Sequence, residues 1–311
     1  MASRIVYISW PASEVAGGVK VMYQHVALLG EAGRDAVVAT PDAKAPWWFE
    51  TPARTVGLED IAEGDVLVFP ENNLELLERY SASPHRKLVF CQNPFYVWSG
   101  VGPHASYAEL GIEQVLCVSQ TTLHYMRARM PRMKLGYAPY YIDHDLFRPA
   151  ARRELQVVCV PRKRPVELMA IRDLFRVAYP RFAGLKWAVV ENATEKQVAQ
   201  AMSESTIFLA LGRLEAHGMT LLEAMASGCL PVGFHGSPGG SDSAHAANGL
   251  WVTDDDIMGC TDQLARACAL VSEGALAYQA MIARGGQTAD AYRKEESARL
   301  LVQFWDAAVP R

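Results

Sequence analysis

Two carboxylates, Glu215 and Glu223, bracket the segment Ala-His-Gly-Met-Thr-Leu-Leu, and after Gly218 the apolar residues Leu221, Leu222 and Met225 recur at helical spacing. The pattern predicts a helix that begins at Gly218, carries Glu223 and leaves Glu215 just before it. A helix start offers free backbone N–H groups and the positive end of the dipole, and a glycine there lets an anion approach closely. This is the geometry of a diphosphate site flanked by two acceptor groups. A second constellation, Arg162-Lys163-Arg164, follows an apolar run at 155–160. Three consecutive cations at the carboxyl end of a strand suit an anionic ligand, and fixed charges aimed at a departing anion lower the barrier electrostatically.

The elements that must position these groups alternate short apolar strands with helices, as a parallel sheet wrapped by helices requires. In the first half, strands are expected at 4–8, 36–39, 66–69, 88–91 and 115–118. A Gly17-Gly18 loop and a helix at 19–29 follow the first of them, and a helix at 119–130 ends at Pro131. The glycine loop lacks Gly-x-Gly-x-x-Gly, so a dinucleotide fingerprint has little support. In the second half, strands are expected at 155–160, 187–190, 207–210, 230–234 and 250–252. Pro165 opens a helix at 166–179, where its missing N–H falls at an otherwise unpaired position. Thr194 and Gln197 form a capping box, and Ser227-Gly228 ends the helix that carries Glu223. Asp254-Asp255-Asp256 reads as a helix cap, and 256–310 as helical with interruptions near Gly274 and Gly285-Gly286. The carboxyl ends of the first-half strands put Glu71, Tyr96 and the Gln92-Asn93 loop where a ligand can reach them.

The run from Glu215 to Gly228, Glu-Ala-His-Gly-Met-Thr-Leu-Leu-Glu-Ala-Met-Ala-Ser-Gly, resembles the Glu-x7-Glu signature of retaining GT-B glycosyltransferases, family 4 above all, with His217 where Phe is usual. The resemblance implies an α/β fold of GT-B architecture, with two Rossmann-like parallel-sheet domains facing a cleft. It implies that Glu215 faces the donor sugar's hydroxyls, that Glu223 binds the ribose, and that the backbone from Gly218 through Met219 and Thr220 to Leu221 meets the diphosphate. Typical members carry a spaced Arg and Lys where this chain has the denser Arg162-Lys163-Arg164. Arg162 matches the Arg, and Lys163 or Arg164 stands in for the Lys. Gly17-Gly18 resembles the glycine loop of the amino-terminal domain, near the acceptor and the donor phosphate; a turn needing positive φ is the other reading. The turn-rich stretch from Ala138 to Pro149 resembles the segment that closes the first domain, with Tyr140-Tyr141 in place of Asn-Gly. Domains are therefore expected at 1–149 and 150–288, with a terminal helix at 289–311 crossing back to the first.

The implied activity is transfer of a hexose-type sugar, with retention, from a nucleoside-diphosphate sugar to a hydroxyl of a saccharide or lipid-linked acceptor. The alternatives are a nucleotide-sugar epimerase or phosphorylase on the same fold, or a non-catalytic sugar-nucleotide-binding subunit. The first would release product without an added acceptor. The second has no chemical need for intact Glu215, Glu223 and the three cations.

Half of the 311 residues are apolar and 21% are charged, a globular composition with room for two cores. No apolar run approaches the roughly 20 residues that span a bilayer, and MASRIVYISW lacks the regions of a signal peptide. A cytoplasmic protein is expected. Six scattered cysteines without a Cys-x-x-Cys pair read as reduced core residues, and a net charge of −4 gives no general nucleic-acid footprint. His235 and His245 have no partners at metal-ligand spacing and no Asp-x-Asp follows a nucleotide-binding strand, so neither a metal nor a cofactor beyond the donor substrate is expected. Trp47-Trp48-Phe49 is either a packed loop or a sugar-stacking or membrane-interface patch. Arg127, Arg129, Arg132 and Lys134 form either a solvated helix end or an anion-binding surface. On the second reading of each, the first domain makes peripheral contact with the inner face of an anionic membrane.

Overall fold

The computed structural model describes residues 3–216, 218–237 and 241–310. His217, in the segment between Glu215 and Glu223, and Pro238-Gly239-Gly240 of the loop after residue 234 lie outside the described residues. The chain divides into two compact units, Met1–Tyr141 with Lys294–Arg311, and Ile142–Arg293.

In the first unit, β1 (Ile5–Ile8), β2 (Ala36–Thr40), β3 (Thr55–Gly57), β4 (Val66–Pro70), β5 (Arg86–Cys91), β6 (Gln114–Cys117) and β7 (Lys134–Tyr137) pair in parallel in the order β3-β2-β1-β4-β5-β6-β7. The inner strands each carry an apolar run, complete in β1 and confined to 88–91 in β5, because a parallel sheet is covered on both faces. Alternate residues Val6, Ile8, Val37, Leu67, Phe69, Val89, Cys91 and Val115 bury one face. That face is closed by Leu77 of α2 (Leu74–Tyr80), Val97 and Val101 of α3 (Val97–Val101), and Met126 of α4 (Gln120–Arg129). Ser119 caps α4, its side chain accepting from the Thr122 N–H. Before these in the chain, α1 (Gly17–Glu31) buries Val19, Val21, Met22, Val26 and Leu29.

In the second unit, β8 (Glu154–Cys159), β9 (Lys186–Val189), β10 (Ser205–Leu211), β11 (Leu230–Phe234) and β12 (Leu250–Trp251) form a parallel sheet in the order β12-β11-β10-β8-β9. Its core joins Val157, Ile207, Leu209, Val232 and Phe234 to Ile171 of α5 (Pro165–Ala178) and Leu264 of α8 (Ile257–Ser272). Thr194 and Gln197 close the capping box of α6 (Glu195–Glu204). The helix after Gly218 is α7 (Met219–Ala226), and α9 (Leu276–Asp290) packs on it.

Two expectations need correction. Gly285-Gly286 does not interrupt α9, because the helix approaches α7 so closely there that a Cβ on Gly285 would meet the Met225 side chain at 3.3 Å. The break falls instead after Asp290, and α10 (Lys294–Ala308) belongs to the first unit. The boundary expected at residue 149 falls at 141, because from Ile142 the backbone pairs within the second unit. Ile142 donates to Tyr292 O at 2.8 Å, and Ala150 donates to Ser203 O at 3.1 Å. In the first unit, α10 seats Trp305 against Tyr7, its Nε1–H donating to the Tyr7 hydroxyl at 3.3 Å, and Ser297 Oγ donates to Tyr140 O at 2.9 Å.

Candidate active site

The second unit gathers most of the expected residues at the carboxyl edge of its sheet, where the adjacent strands β8 and β10 end. Lys163 leaves the β8–α5 turn and its Nζ lies 2.7 Å from Glu215 Oε1, while also donating to Arg213 O at 2.9 Å. Both side chains are partly exposed. The Glu215 N–H donates to Gly236 O at 2.8 Å, which ties the exit of β10 to the exit of β11. Arg162 is exposed beside this pair in sequence. Between Arg213 and Glu215, Leu214 holds a left-handed backbone, φ 48°, and keeps its side chain 41% exposed. A non-glycine residue in that region is held there by its surroundings, and no local signal in the sequence announces it.

Gly218 stands at the N-cap of α7 with φ 68° and ψ 67°, a conformation that glycine adopts without penalty. Gly218 has no side chain to cap the helix, so among the described residues the first-turn N–H groups of Met219 and Thr220 are those a helix start leaves for a ligand. Both residues are half-buried, whereas Leu221, Leu222 and Met225 point into the core. Glu223 sits on the same helix and is buried. Glu215, Lys163, the start of α7 and Glu223 thus share one unit, with a cation, an uncapped helix start and two carboxylates.

Arg164, expected at the donor phosphate, is enclosed instead, with 1% of its side chain exposed. Its Nε donates to Gly212 O at 2.8 Å and its guanidinium lies 4.8 Å from the centre of the Phe234 ring. It also bonds to Asp255, to Glu167 Oε1 at 3.2 Å and, across 3.5 Å, to Asp254 Oδ2. Three carboxylates leave no charge on it for a ligand. Of the expected acidic cap, only Asp256 serves, accepting from the Gly259 N–H at 2.8 Å. Paired with Arg164, the Asp255 carboxyl is held below the usual range.

Gly17 and Gly18 belong to the other unit. They open α1 and are not among the positive-φ residues, so the turn reading does not hold. Gly18 O accepts from Gln92 Nε2 at 3.0 Å. Glu71, at the end of β4, is buried rather than offered to a ligand. Its carboxylate accepts from the N–H groups of Gln92, 3.2 Å, and Asn93, 2.9 Å, and burial pushes its carboxyl up to about 7. In the same unit His25 is fully buried, with Nδ1 3.2 Å from the Tyr7 hydroxyl, and burial lowers it to about 3.

Trp48 and Phe49 take the packed-loop reading. Trp48 Nε1 donates to Glu14 O at 3.2 Å and Phe49 stacks edge-on against Tyr23, which leaves Trp47 as the exposed member. The exposed aromatic that the sequence did not single out is Trp98, two residues after the expected and exposed Tyr96; Trp98 Nε1 donates to the Tyr125 hydroxyl of α4 at 2.8 Å. Arg127 and Arg129 end that helix, and with Arg132 and Lys134 all four cations are exposed. All six cysteines are free and buried. Among the described residues, no group of three or more His, Cys, Asp or Glu could hold a metal ion, and no helix is long and apolar enough to cross a membrane.

Two parallel sheets flanked by helices define the GT-B fold, and solved structures agree over nearly the whole chain. A sucrose-phosphate synthase from Thermosynechococcus elongatus superposes with a TM-score of 0.70 at 14% identity, covering 98% of this chain and 99% of that one. HepE of Anabaena, in complex with UDP-glucose, gives a TM-score of 0.67 at 10% identity, with coverage of 98% and 99%. By sequence, the chain is 28% identical over 182 residues to an alpha-1,6-glucosyltransferase of Actinobacillus pleuropneumoniae serotype 7 (strain AP76). That match takes in 57% of this chain and 54% of the relative, about half of its length. No protein-family model matches the chain.

Proposed function

We propose that the chain is a retaining glycosyltransferase that moves a hexose-type sugar from a nucleoside-diphosphate sugar to a hydroxyl of a saccharide or lipid-linked acceptor. The observation that carries this reading is the Lys163–Glu215 pair, 2.7 Å apart, at a sheet edge that also bears the uncapped start of α7 and Glu223. UDP is the nucleotide we assign, on the likeness to a fold captured with UDP-glucose.

In this reading the diphosphate lies on the N–H groups of Gly218, Met219 and Thr220, with Lys163 and Arg162 as its cations. As the acceptor hydroxyl adds to the anomeric carbon on the face the nucleotide leaves, the bond from that carbon to the diphosphate oxygen breaks, its electron pair leaves with the nucleotide, and the acceptor's proton passes to the departing diphosphate oxygen. Preorganised donors aimed at the leaving oxygen lower the barrier most when they are already in place. Glu215, paired with Lys163, accepts from the sugar's hydroxyls, and Glu223 accepts from the ribose. Neutralisation of the diphosphate thereby falls to protein groups rather than to a resident metal. In the first unit, Gly17 and Gly18 are assigned to the acceptor. The exposed Trp98 and the cations of α4 favour a lipid-linked acceptor at an anionic surface.

Calorimetry separates the two carboxylates. Glu223→Gln should weaken UDP and UDP-glucose alike, whereas Glu215→Gln should weaken UDP-glucose alone. Equal loss of UDP affinity in both variants would refute the division of roles.

A further inference from the structure

We infer that Arg164 is a positioning residue for the reaction proposed above, fixing the backbone that carries Glu215 and Lys163 without itself touching the donor. The role rests on that reading of the site. Its partners stand on separate elements: Gly212 at the exit of β10, Phe234 at the end of β11, Asp254 and Asp255 in the turn after β12, and Glu167 in the first turn of α5. Arg164 itself follows β8. One guanidinium therefore ties together the carboxyl ends of four neighbouring strands, β12-β11-β10-β8.

What it holds leads directly to the site. Gly212 O accepts from Arg164, the next carbonyl, Arg213 O, accepts from Lys163, and Glu215 pairs with the same Lys163. Between these anchors Leu214 keeps its left-handed backbone, secured by Arg164 on one side and by the Glu215 N–H bond to Gly236 O on the other. Charge points the same way. Unpaired, Glu167, Asp254 and Asp255 would repel an anionic ligand at this sheet edge; the buried guanidinium offsets part of that charge, Arg213 adds a second cation 3.7 Å from Glu167, and Lys163 and Arg162 are left to the diphosphate. Only a planar, five-donor group serves all these partners at once, and a lysine cannot.

Two variants loosen the clamp from opposite sides. Arg164→Lys keeps the charge and loses the fork. Asp255→Asn acts at a side chain that is 68% exposed, and asparagine tolerates the left-handed backbone at that position, φ 69°, so folding is preserved even if Arg164→Lys fails to fold. Without ligand, hydrogen exchange by mass spectrometry should rise about tenfold or more over 212–216 and stay unchanged over 219–226. With ligand, the Kd for UDP should stay within about twofold, the added affinity of UDP-glucose over UDP should be lost, and kcat should fall about tenfold or more with KM moving less. Exchange rising equally in both segments, or UDP and UDP-glucose weakening in step with Tm, would make Arg164 merely structural and overturn the inference. Unchanged exchange over 212–216 would also overturn it. A wild-type chain that binds neither UDP nor UDP-glucose would remove the functional reading and this role with it, an outcome visible before any variant is made.

Discussion

Glu71 and His25 are buried in the same unit with opposite responses to pH, and their opposition can be measured. Burial raises the Glu71 carboxyl from 4.5 to about 7, so between those values the native chain keeps a proton that the unfolded chain has released. Stability from this group is full below about 4.5 and is lost as pH rises toward 7. Burial lowers His25 from 6.5 to about 3, so between those values the unfolded chain holds a proton that the native chain refuses. Its contribution is full above 6.5 and is lost as pH falls toward 3. At about 1.4 kcal/mol for each pH unit, Glu71 is worth on the order of 3 kcal/mol and His25 on the order of 5 kcal/mol, with opposite slopes where the windows overlap. The wild type should therefore show a nearly flat stability between pH 4.5 and 6.5. In Glu71→Gln, stability should climb steeply with pH across that range. In His25→Gln, it should decline as pH rises from 4.5 to 7. Urea denaturation followed by circular dichroism at half-unit pH steps reads the slopes, which remain informative even if either variant has a lower absolute stability. A Glu71→Gln profile parallel to the wild type would show that the carboxylate is already ionised near pH 4.5, and would refute the reasoning from its burial.

Three further outcomes follow from the site. Arg162→Ala with Lys163→Ala should lower kcat by about 10²–10³ while leaving Tm nearly unchanged, since neither side chain is buried; an unchanged kcat would remove both from the leaving-group role. Gly218→Ala places a Cβ on a residue at φ 68° and should cost about 1 kcal/mol of stability together with UDP affinity, checked by thermal shift with and without UDP. Arg127, Arg129 and Arg132 changed together to Ala, or Trp98→Ala alone, should reduce co-sedimentation with anionic vesicles at low salt; absence of wild-type binding there would leave a soluble acceptor.

Much of the architecture could be read from the chain, for a physical reason. Strands covered on both faces need a continuous apolar stretch, so β1, β2 and β4, with 88–91 of β5 and 207–211 of β10, stand out wherever they occur. The short outer strands escaped notice because an edge needs less: β7 begins on an exposed lysine, and β3 has only three residues, none but Gly57 buried. At the site, Glu215, Gly218 and Glu223 are close in sequence, and local spacing places them correctly on a loop and a helix. Arg162, Lys163 and Arg164 are equally close, yet their fates differ. Whether such a cation faces solvent or the interior depends on Asp255, far along the chain, and no local pattern reports that pairing. The same holds for Glu71, whose partners Gln92 and Asn93 arrive from the next strand. Gly285-Gly286 misleads in the opposite sense, since two glycines mark a helix break in isolation but a close helix–helix approach once α7 is beside them.

The placement of α10 bears on how the molecule is made. The first unit is discontinuous in the chain, because residues 142–293 are translated between its sheet and the helix that seats Trp305 against Tyr7. At about 5–20 residues per second, the ribosome spends about 8–30 s on that insertion. Throughout that time the nascent sheet waits with the slot for Trp305 empty and Tyr140 O without its Ser297 partner. The second unit, unbroken in sequence, is complete before the first can close. The usual amino-to-carboxyl order of maturation is thus reversed here, and the period of greatest exposure to chaperones and proteases belongs to the part of the protein synthesised first.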